Sequence, residues 1–127
     1  MAQNQNDLKH WNEKEQALRV ILEELIARPQ IIDSEQFPNA LKLIIQSLSE
    51  SGISVYLQAV EVVNELFKAS LQINYDYLFQ NFEEIVTPMM LKSADSNTRV
   101  RQKTSECINN LWTNLLTSIN PKFISKV

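Results

Sequence analysis

Shifting the chain by 45 residues lays one stretch of it on another: Phe37 falls on Phe82 (82 − 37 = 45), Ser51 on Ser96, Val55 on Val100, Asn64 on Asn109 and Leu66 on Leu111. Similar side chains keep the same register, Leu41 with Val86, Ile44 with Met89, Ile45 with Met90, Glu50 with Asp95, Val62 with Cys107, Val63 with Ile108 and Phe67 with Trp112. A shift of 41 brings Glu24-Leu25-Ile26 onto Glu65-Leu66-Phe67. Two amphipathic stripes in an ordinary helical bundle can coincide by chance, but such a coincidence does not also align the polar residues between them. The chain therefore reads as a recurring unit of 40 to 47 residues that cannot bury its apolar face alone and must stack on its neighbours.

Within each unit the apolar spacing is helical. Leu18, Ile21, Leu22, Leu25 and Ile26 mark a first helix, with Asn12 and Glu15 placed as N-cap and capping-box partner and Pro29 ending it near Arg28. Phe37, Leu41, Ile44, Ile45 and Leu48 mark a second, with Asp33 and Ser34 as its caps. Val55, Ala59, Val62, Val63, Leu66 and Phe67 mark a third, beginning after Glu50-Ser51-Gly52. Leu78, Phe82, Ile85, Val86, Met89 and Met90 mark a fourth, in which Pro88 is expected to cause a kink. A fifth follows Asp95-Ser96-Asn97 and carries Val100, Cys107, Ile108, Leu111, Trp112 and Leu115, and Pro121 opens a sixth over Lys122 to Val127. Residues 1–10 are polar and are expected to form a flexible tail ahead of a single repeat domain over residues 11–127. Met89, Met90, Phe82, Trp112 and Cys107 are expected in the core.

The expected fold is all-α, an α-solenoid of antiparallel helical hairpins of the HEAT or armadillo kind. Composition agrees, since one glycine and four prolines in 127 residues leave too little turn chemistry for a sandwich, a barrel or a nucleotide-binding sheet. A formal net charge of −3 gives no global basic field for a nucleic-acid backbone or an anionic membrane. No apolar run approaches the ~20 residues of a membrane span and no signal-peptide pattern opens the chain, so a cytoplasmic protein is expected. Catalysis is not expected. The one histidine and one cysteine, His10 and Cys107, belong to opposite ends of the array, and the lone Gly52 makes no phosphate loop. Adjacent carboxylates such as Glu23-Glu24 and Glu83-Glu84 diverge around a helix rather than converge on a substrate. No metal or cofactor is expected.

Antiparallel alternation puts the chain before the first helix and the turns at Ser49 to Ser54 and Ser93 to Thr98 on one edge, and the turns near Gln30 to Asp33, Gln72 to Asn74 and Ser118 to Pro121 on the other. The first edge carries Trp11, flanked by Lys9, His10 and Lys14, and the cationic cluster Asn97, Arg99, Arg101 and Lys103. Trp11 has two readings, an aromatic binding anchor or a lid folded over the open end of the stack. Arg101 and Asp95 have a structural reading, paired with each other or with neighbouring repeats, and Arg99 and Lys103 that of a solvated face.

These residues resemble the TOG domains of microtubule regulators of the CLASP and crescerin type, which are built from HEAT repeats. Trp11-Asn12-Glu13-Lys14 followed by Ala17-Leu18 is similar to the opening of the family's first helix, and Asp95-Ser96-Asn97-Thr98-Arg99-Val100 to a loop of its later repeats. The resemblance covers Trp11 to Leu116 and implies a binding module for tubulin, with Trp11 as the aromatic contact, assisted by Lys14, and with Asn97, Arg99 and Arg101 contributing from the later loop. It implies a place at the cytoskeleton, centrosome or cilium. The chain departs from the family where a basic residue often follows the tryptophan, here Asn12, and in the loop Glu50-Ser51-Gly52-Ile53, which has no basic residue. The array is expected to be incomplete and to expose apolar surface around Trp112, Leu115, Leu116 and Phe123, favouring self-association. The alternative is a general adaptor that holds another protein's helix or peptide without tubulin.

Overall fold

The computed structural model describes the backbone of residues 2–119 and the side chains of residues 12–116 apart from that of Tyr75. Along it lie α1 (Ala2–Ala27), a 3-10 turn (Pro29–Asp33), α2 (Phe37–Leu48), α3 (Ile53–Ile73), α4 (Tyr75–Lys92) and α5 (Thr98–Ile119), with no strand among the described residues. The sixth helix expected over Lys122 to Val127 lies outside them.

The helix starts keep the register of the sequence: α3 opens at Ile53 and α5 at Thr98, 45 residues later (98 − 53 = 45). The second and fourth helices differ at their beginnings. Where α4 runs unbroken from Tyr75 through Pro88 to Lys92, the earlier unit has a 3-10 turn, a short bend and then α2. Two prolines account for the difference. Pro29 and Pro38 each sit in the first turn of their element, where the missing N–H is one that would have no intrahelical acceptor.

Packing follows chain order. Each helix touches the next along the chain and the next but one: α1 with α2 and α3, α2 with α3 and α4, α3 with α4 and α5. Among the described residues α1 makes no contact with α4 or α5, and α2 none with α5. The central helix α3 meets every other element and supplies much of the buried core, including Val55, Tyr56, Ala59, Val62, Val63, Leu66 and Phe67. Leu18 and Leu25 of α1, Ile44 and Leu48 of α2, Ile85 and Met89 of α4 and Cys107 and Leu111 of α5 close on it. Removing such side chains from water is the main favourable contribution, ~1.5–3 kcal/mol for each large aliphatic one.

Several expectations need correction. The first helix starts at Ala2, so Asn12 and Glu15 lie inside it and form no capping box. Side-chain capping at α2 is also absent: its N-cap is Gln36, while the Ser34 hydroxyl accepts from the Gln36 N–H at 3.3 Å and Asp33 accepts from Asn74 across the fold. Met90, expected in the core, is 55% exposed; Trp112, expected both in the core and as apolar surface near the end of the array, is 49% exposed, and Leu115, expected beside it at the surface, is buried. Helical spacing places Met90 and Trp112 on an apolar face, and among the described residues no further helix covers that face.

Candidate functional site

The turn that joins α2 to α3 and the turn that joins α4 to α5 lie at one end of the helices, because Lys92 at the end of α4 donates to the Glu50 carbonyl at 3.0 Å. Lys14 of α1 reaches the same residue and forms an ion pair with the Glu50 carboxylate. At the opposite end, the Asn74 amide donates to Asp33 at 2.9 Å and its oxygen caps α4 by accepting from the Tyr77 N–H at 3.3 Å. The turns at Ser49 to Ser54 and Ser93 to Thr98 thus share one edge and those near Gln30 to Asp33 and Gln72 to Asn74 the other, as expected, but Trp11 lies inside α1 and not in a segment leading into it. The turn expected up to Pro121 ends outside the described residues.

Lys14, Asn97, Arg99 and Arg101 each have a definite place on the first edge. Trp11 lies in α1, one turn ahead of Lys14, and its side chain is outside the described residues. The Lys14 side chain is only 15% exposed, and its ammonium is engaged by Glu50. Asn97 is the N-terminal cap of α5, its side-chain oxygen accepting from the Val100 N–H at 3.1 Å while its own N–H donates to Asp95 at 2.8 Å. Such a cap satisfies a backbone donor at a helix start that otherwise has no partner. The Arg101 guanidinium donates to the Asp95 carbonyl at 2.6 Å and to the Thr98 hydroxyl at 3.1 Å. Arg99 is exposed, and among the described residues it engages no carboxylate. Lys103 is paired with Glu106 at 3.6 Å, both largely exposed. The edge therefore brings Lys14, Asn97 and Arg101 to one end of the molecule but commits their polar groups to the fold, while among the described residues Arg99 has no such engagement.

Sequence reasoning missed what holds this edge together. By the 45-residue shift Arg101 corresponds to Tyr56 (101 − 56 = 45), and Asp95 to Glu50. In the later unit Arg101 caps the carbonyl of Asp95. In the earlier one Tyr56 takes the arginine's position, and Lys92 from the neighbouring unit caps the Glu50 carbonyl while lying 5.3 Å from the centre of the Tyr56 ring. A cation over an aromatic face is favourable by ~0.5–1 kcal/mol or more when water is excluded. The buried Tyr56 hydroxyl shares a 2.6 Å hydrogen bond with Thr104, itself fully buried, so the tyrosine ties α3 to α5. Burial pushes the Tyr56 hydroxyl's pKa up despite that bond.

A second surface crosses the other faces of α1, α3 and α5. It is a groove of about 570 Å³ lined by Leu22 and Ile26 from α1, Glu61, Asn64, Glu65, Phe67 and Lys68 from α3, and Asn110, Leu111 and Asn114 from α5. Its lining mixes the apolar Leu22, Ile26, Phe67 and Leu111 with carboxylates and amides, and Glu65 lies 3.4 Å from Lys68. Three helices that follow one another in space but not in sequence are needed to make it, so no local pattern announces it.

Among the described residues no group of three or more His, Cys, Asp or Glu side chains could hold a metal ion. The thiol of Cys107 is fully buried and lies 4.0 Å from the Val60 carbonyl, and burial pushes its pKa up to about 12, the opposite of what a nucleophile needs. No described helix is long and apolar enough to cross a membrane. Comparison with protein-family models, curated proteins and solved structures finds no match to this chain.

Proposed function

We propose that the chain is a non-catalytic protein-binding module in which helical units stack as an α-solenoid of antiparallel hairpins. The stacking is supported by the order of contacts, in which helices meet only those one or two places away, and by helix starts 45 residues apart. The observation that carries the binding reading is the groove over α1, α3 and α5, which joins the apolar Leu22, Phe67 and Leu111 to the side chains of Asn64, Asn110 and Asn114. A primary amide both donates and accepts, which suits the N–H and C=O groups of a peptide segment, and Glu61 adds a negative charge. The partner is accordingly a peptide or helix with an apolar anchor beside a basic residue. Selection from a displayed peptide library is the test. Enriched sequences should share that pattern and lose binding by at least about tenfold to Glu61→Arg with Asn110→Arg, helical circular dichroism being retained. Enrichment of unpatterned sequences, or binding indifferent to both changes, would sink the groove reading.

A tubulin-binding module acting through the Trp11 edge is the second reading. It is favoured by the exposed Arg99, unengaged among the described residues, and by the resemblance of Trp11-Asn12-Glu13-Lys14 and Asp95-Ser96-Asn97 to TOG sequences. Since Lys14, Asn97 and Arg101 are occupied within the fold, Trp11 and Arg99 are the side chains it depends on. Co-migration with tubulin in gel filtration, lost in Trp11→Ala combined with Arg99→Ala, is the expected result. Absence of co-migration for the unmodified chain leaves the groove as the binding surface. A place at the cytoskeleton, centrosome or cilium belongs to this reading alone.

A further inference from the structure

The exposed positions of α4 differ from their counterparts on α2 in a way that packing does not require. Core positions repeat as apolar pairs, Phe37 with Phe82 and Ile44 with Met89. Glu83, Glu84, Thr87 and Leu91, all exposed, fall 45 residues after Pro38, Asn39, Lys42 and Gln46, which resemble them neither in charge nor in polarity. Together with Ile45 and Pro88 these four α4 side chains line a slot of about 450 Å³ between α2 and α4. Leu91 is 77% exposed, more than any other large apolar side chain among the described residues. Neither Glu83 nor Glu84 has a cation or a hydrogen-bond donor on its carboxylate among the described residues. Lys42, the one charged residue of α2, pairs with neither. Pro88 has no N–H, so the Glu84 carbonyl one turn before it lacks its usual helical donor and adds an acceptor at the same turn.

We infer that this slot docks a basic segment of another protein, with one apolar side chain seated on Ile45, Pro88 and Leu91 and an arginine or lysine against Glu83 and Glu84. The inference uses neither the groove over α1, α3 and α5 nor the Trp11 edge, so it stands apart from both binding readings above. Charge selects the occupant. Two carboxylates without a counter-charge repel phosphate and acidic side chains, which turns away nucleic acid, phospholipid headgroups and acidic peptides. Among the described residues they are also not part of any group that could hold a metal ion. What they attract is a cationic side chain that donates hydrogen bonds, and the apolar residues beside them require that the cation come with an apolar neighbour. The spacing of the two follows from the helix. Glu84 and Pro88 are four residues apart (88 − 84 = 4), or ~6 Å along the axis at ~1.5 Å per residue. An extended chain covers about that distance in two residues, whose side chains point the same way. The docked segment is therefore extended, with its apolar anchor two residues from its cation.

The test is a titration of the full chain, labelled with nitrogen-15, with the peptide acetyl-Gly-Leu-Ala-Arg-Ala-Leu-Gly-amide, which sets leucine two residues from arginine in either chain direction. Amide shifts centred on Ile45, Glu83, Glu84, Thr87 and Leu91 are expected, and the affinity should fall as salt is raised. Glu83→Arg combined with Glu84→Arg should weaken binding at least about tenfold with helicity retained, whereas Glu61→Arg with Asn110→Arg, placed in the other groove, should leave these shifts unchanged. On the unmodified chain, citrulline in place of arginine removes the charge at nearly constant shape, and alanine in place of both leucines removes the anchor. Each should also weaken binding at least about tenfold. No shifts at the slot, shifts confined to the groove over α1, α3 and α5, or an affinity indifferent to the Glu83 and Glu84 changes would each overturn the proposal. If that double variant loses helicity, the citrulline peptide decides, and undiminished binding of it counts against the slot.

Discussion

Phe67 and Trp112 occupy the same place in two copies of one unit, yet Phe67 is 3% exposed and Trp112 49%. The residues are of one kind, aromatic and on the inner stripe of a long helix. What differs is the neighbour. Phe67 has the later unit beside it, whereas Trp112 meets Phe82 edge-on and, among the described residues, no further helix follows. In a stacked helical array, then, whether a residue is core is a property of the next unit as much as of its own sequence.

The sharpest way to break that comparison is to truncate both. Phe67→Ala should cost about 3–5 kcal/mol, the usual price for emptying a packed aromatic site, whereas Trp112→Ala should cost no more than about 1.5 kcal/mol when measured on the monomer. Urea titration at low protein concentration gives both values. Equal costs would mean that Trp112 is covered in solution by something the monomer supplies, and the distinction between the two units would collapse.

The same contrast marks how far the sequence could be read. The 45-residue register located the turn before α3 and the turn before α5, and the structural reading of Arg101 with Asp95 proves local too, although the guanidinium takes the Asp95 carbonyl and not its carboxylate, because those features depend on residues close together along the chain. Periodicity also found the apolar stripe that carries Trp112 and Met90, but a stripe does not say whether anything lies against it. The leading turns of α1 escaped for the opposite reason. Ala2 to Asp7 contains hardly any apolar residue, so its helical backbone has no period by which to be seen. At the candidate site, the Lys14–Glu50 pair spans 36 residues and the Lys92 contact 42, separations over which no local spacing rule operates. The groove over α1, α3 and α5 was illegible on the same ground.

A smaller difference between the units concerns the thiol. The first buries Val62 where the second buries Cys107, 45 residues on (107 − 62 = 45). Unfolded, the cysteine ionises near its ordinary 9.0, while in the fold burial holds it protonated up to about 12. Between those values the folded state binds a proton that the unfolded state has lost, so stability is complete below pH 9 and declines as pH rises. The decline attributable to this group is at most about 1.4 kcal/mol per pH unit. Cys107→Val, which copies the first unit, should remove that share, seen as a shallower fall of the thermal midpoint above pH 9 than in the unmodified chain. Tyr77, pushed up to about 12 mainly by burial, continues to fall away in both proteins above pH 10, so the difference between them is the informative quantity. Parallel curves would show that Cys107 is wetted, and that the later unit is looser throughout than its burial implies.

The least costly difference lies at the helix starts. Asn97 caps α5 through its side chain, whereas the residue 45 places earlier is Gly52, which caps α3 with no side chain at all (97 − 52 = 45). Gly52 does not need a glycine's freedom, because its φ of −70 and ψ of 121 lie in the extended region open to any residue. Gly52→Asn should therefore stabilise the chain by a few tenths of a kcal/mol to about 1 kcal/mol, from the added cap and from a less disordered unfolded state. The gain is expected as a small rise in the denaturant midpoint with unchanged slope. It also probes the edge, since Ser51 and Gly52 lie beside the Glu50 junction that Lys14 and Lys92 converge on. An asparagine that destabilises would mean that the backbone there is held closer to α1 than a side chain permits, making the two turns dissimilar in kind rather than in degree.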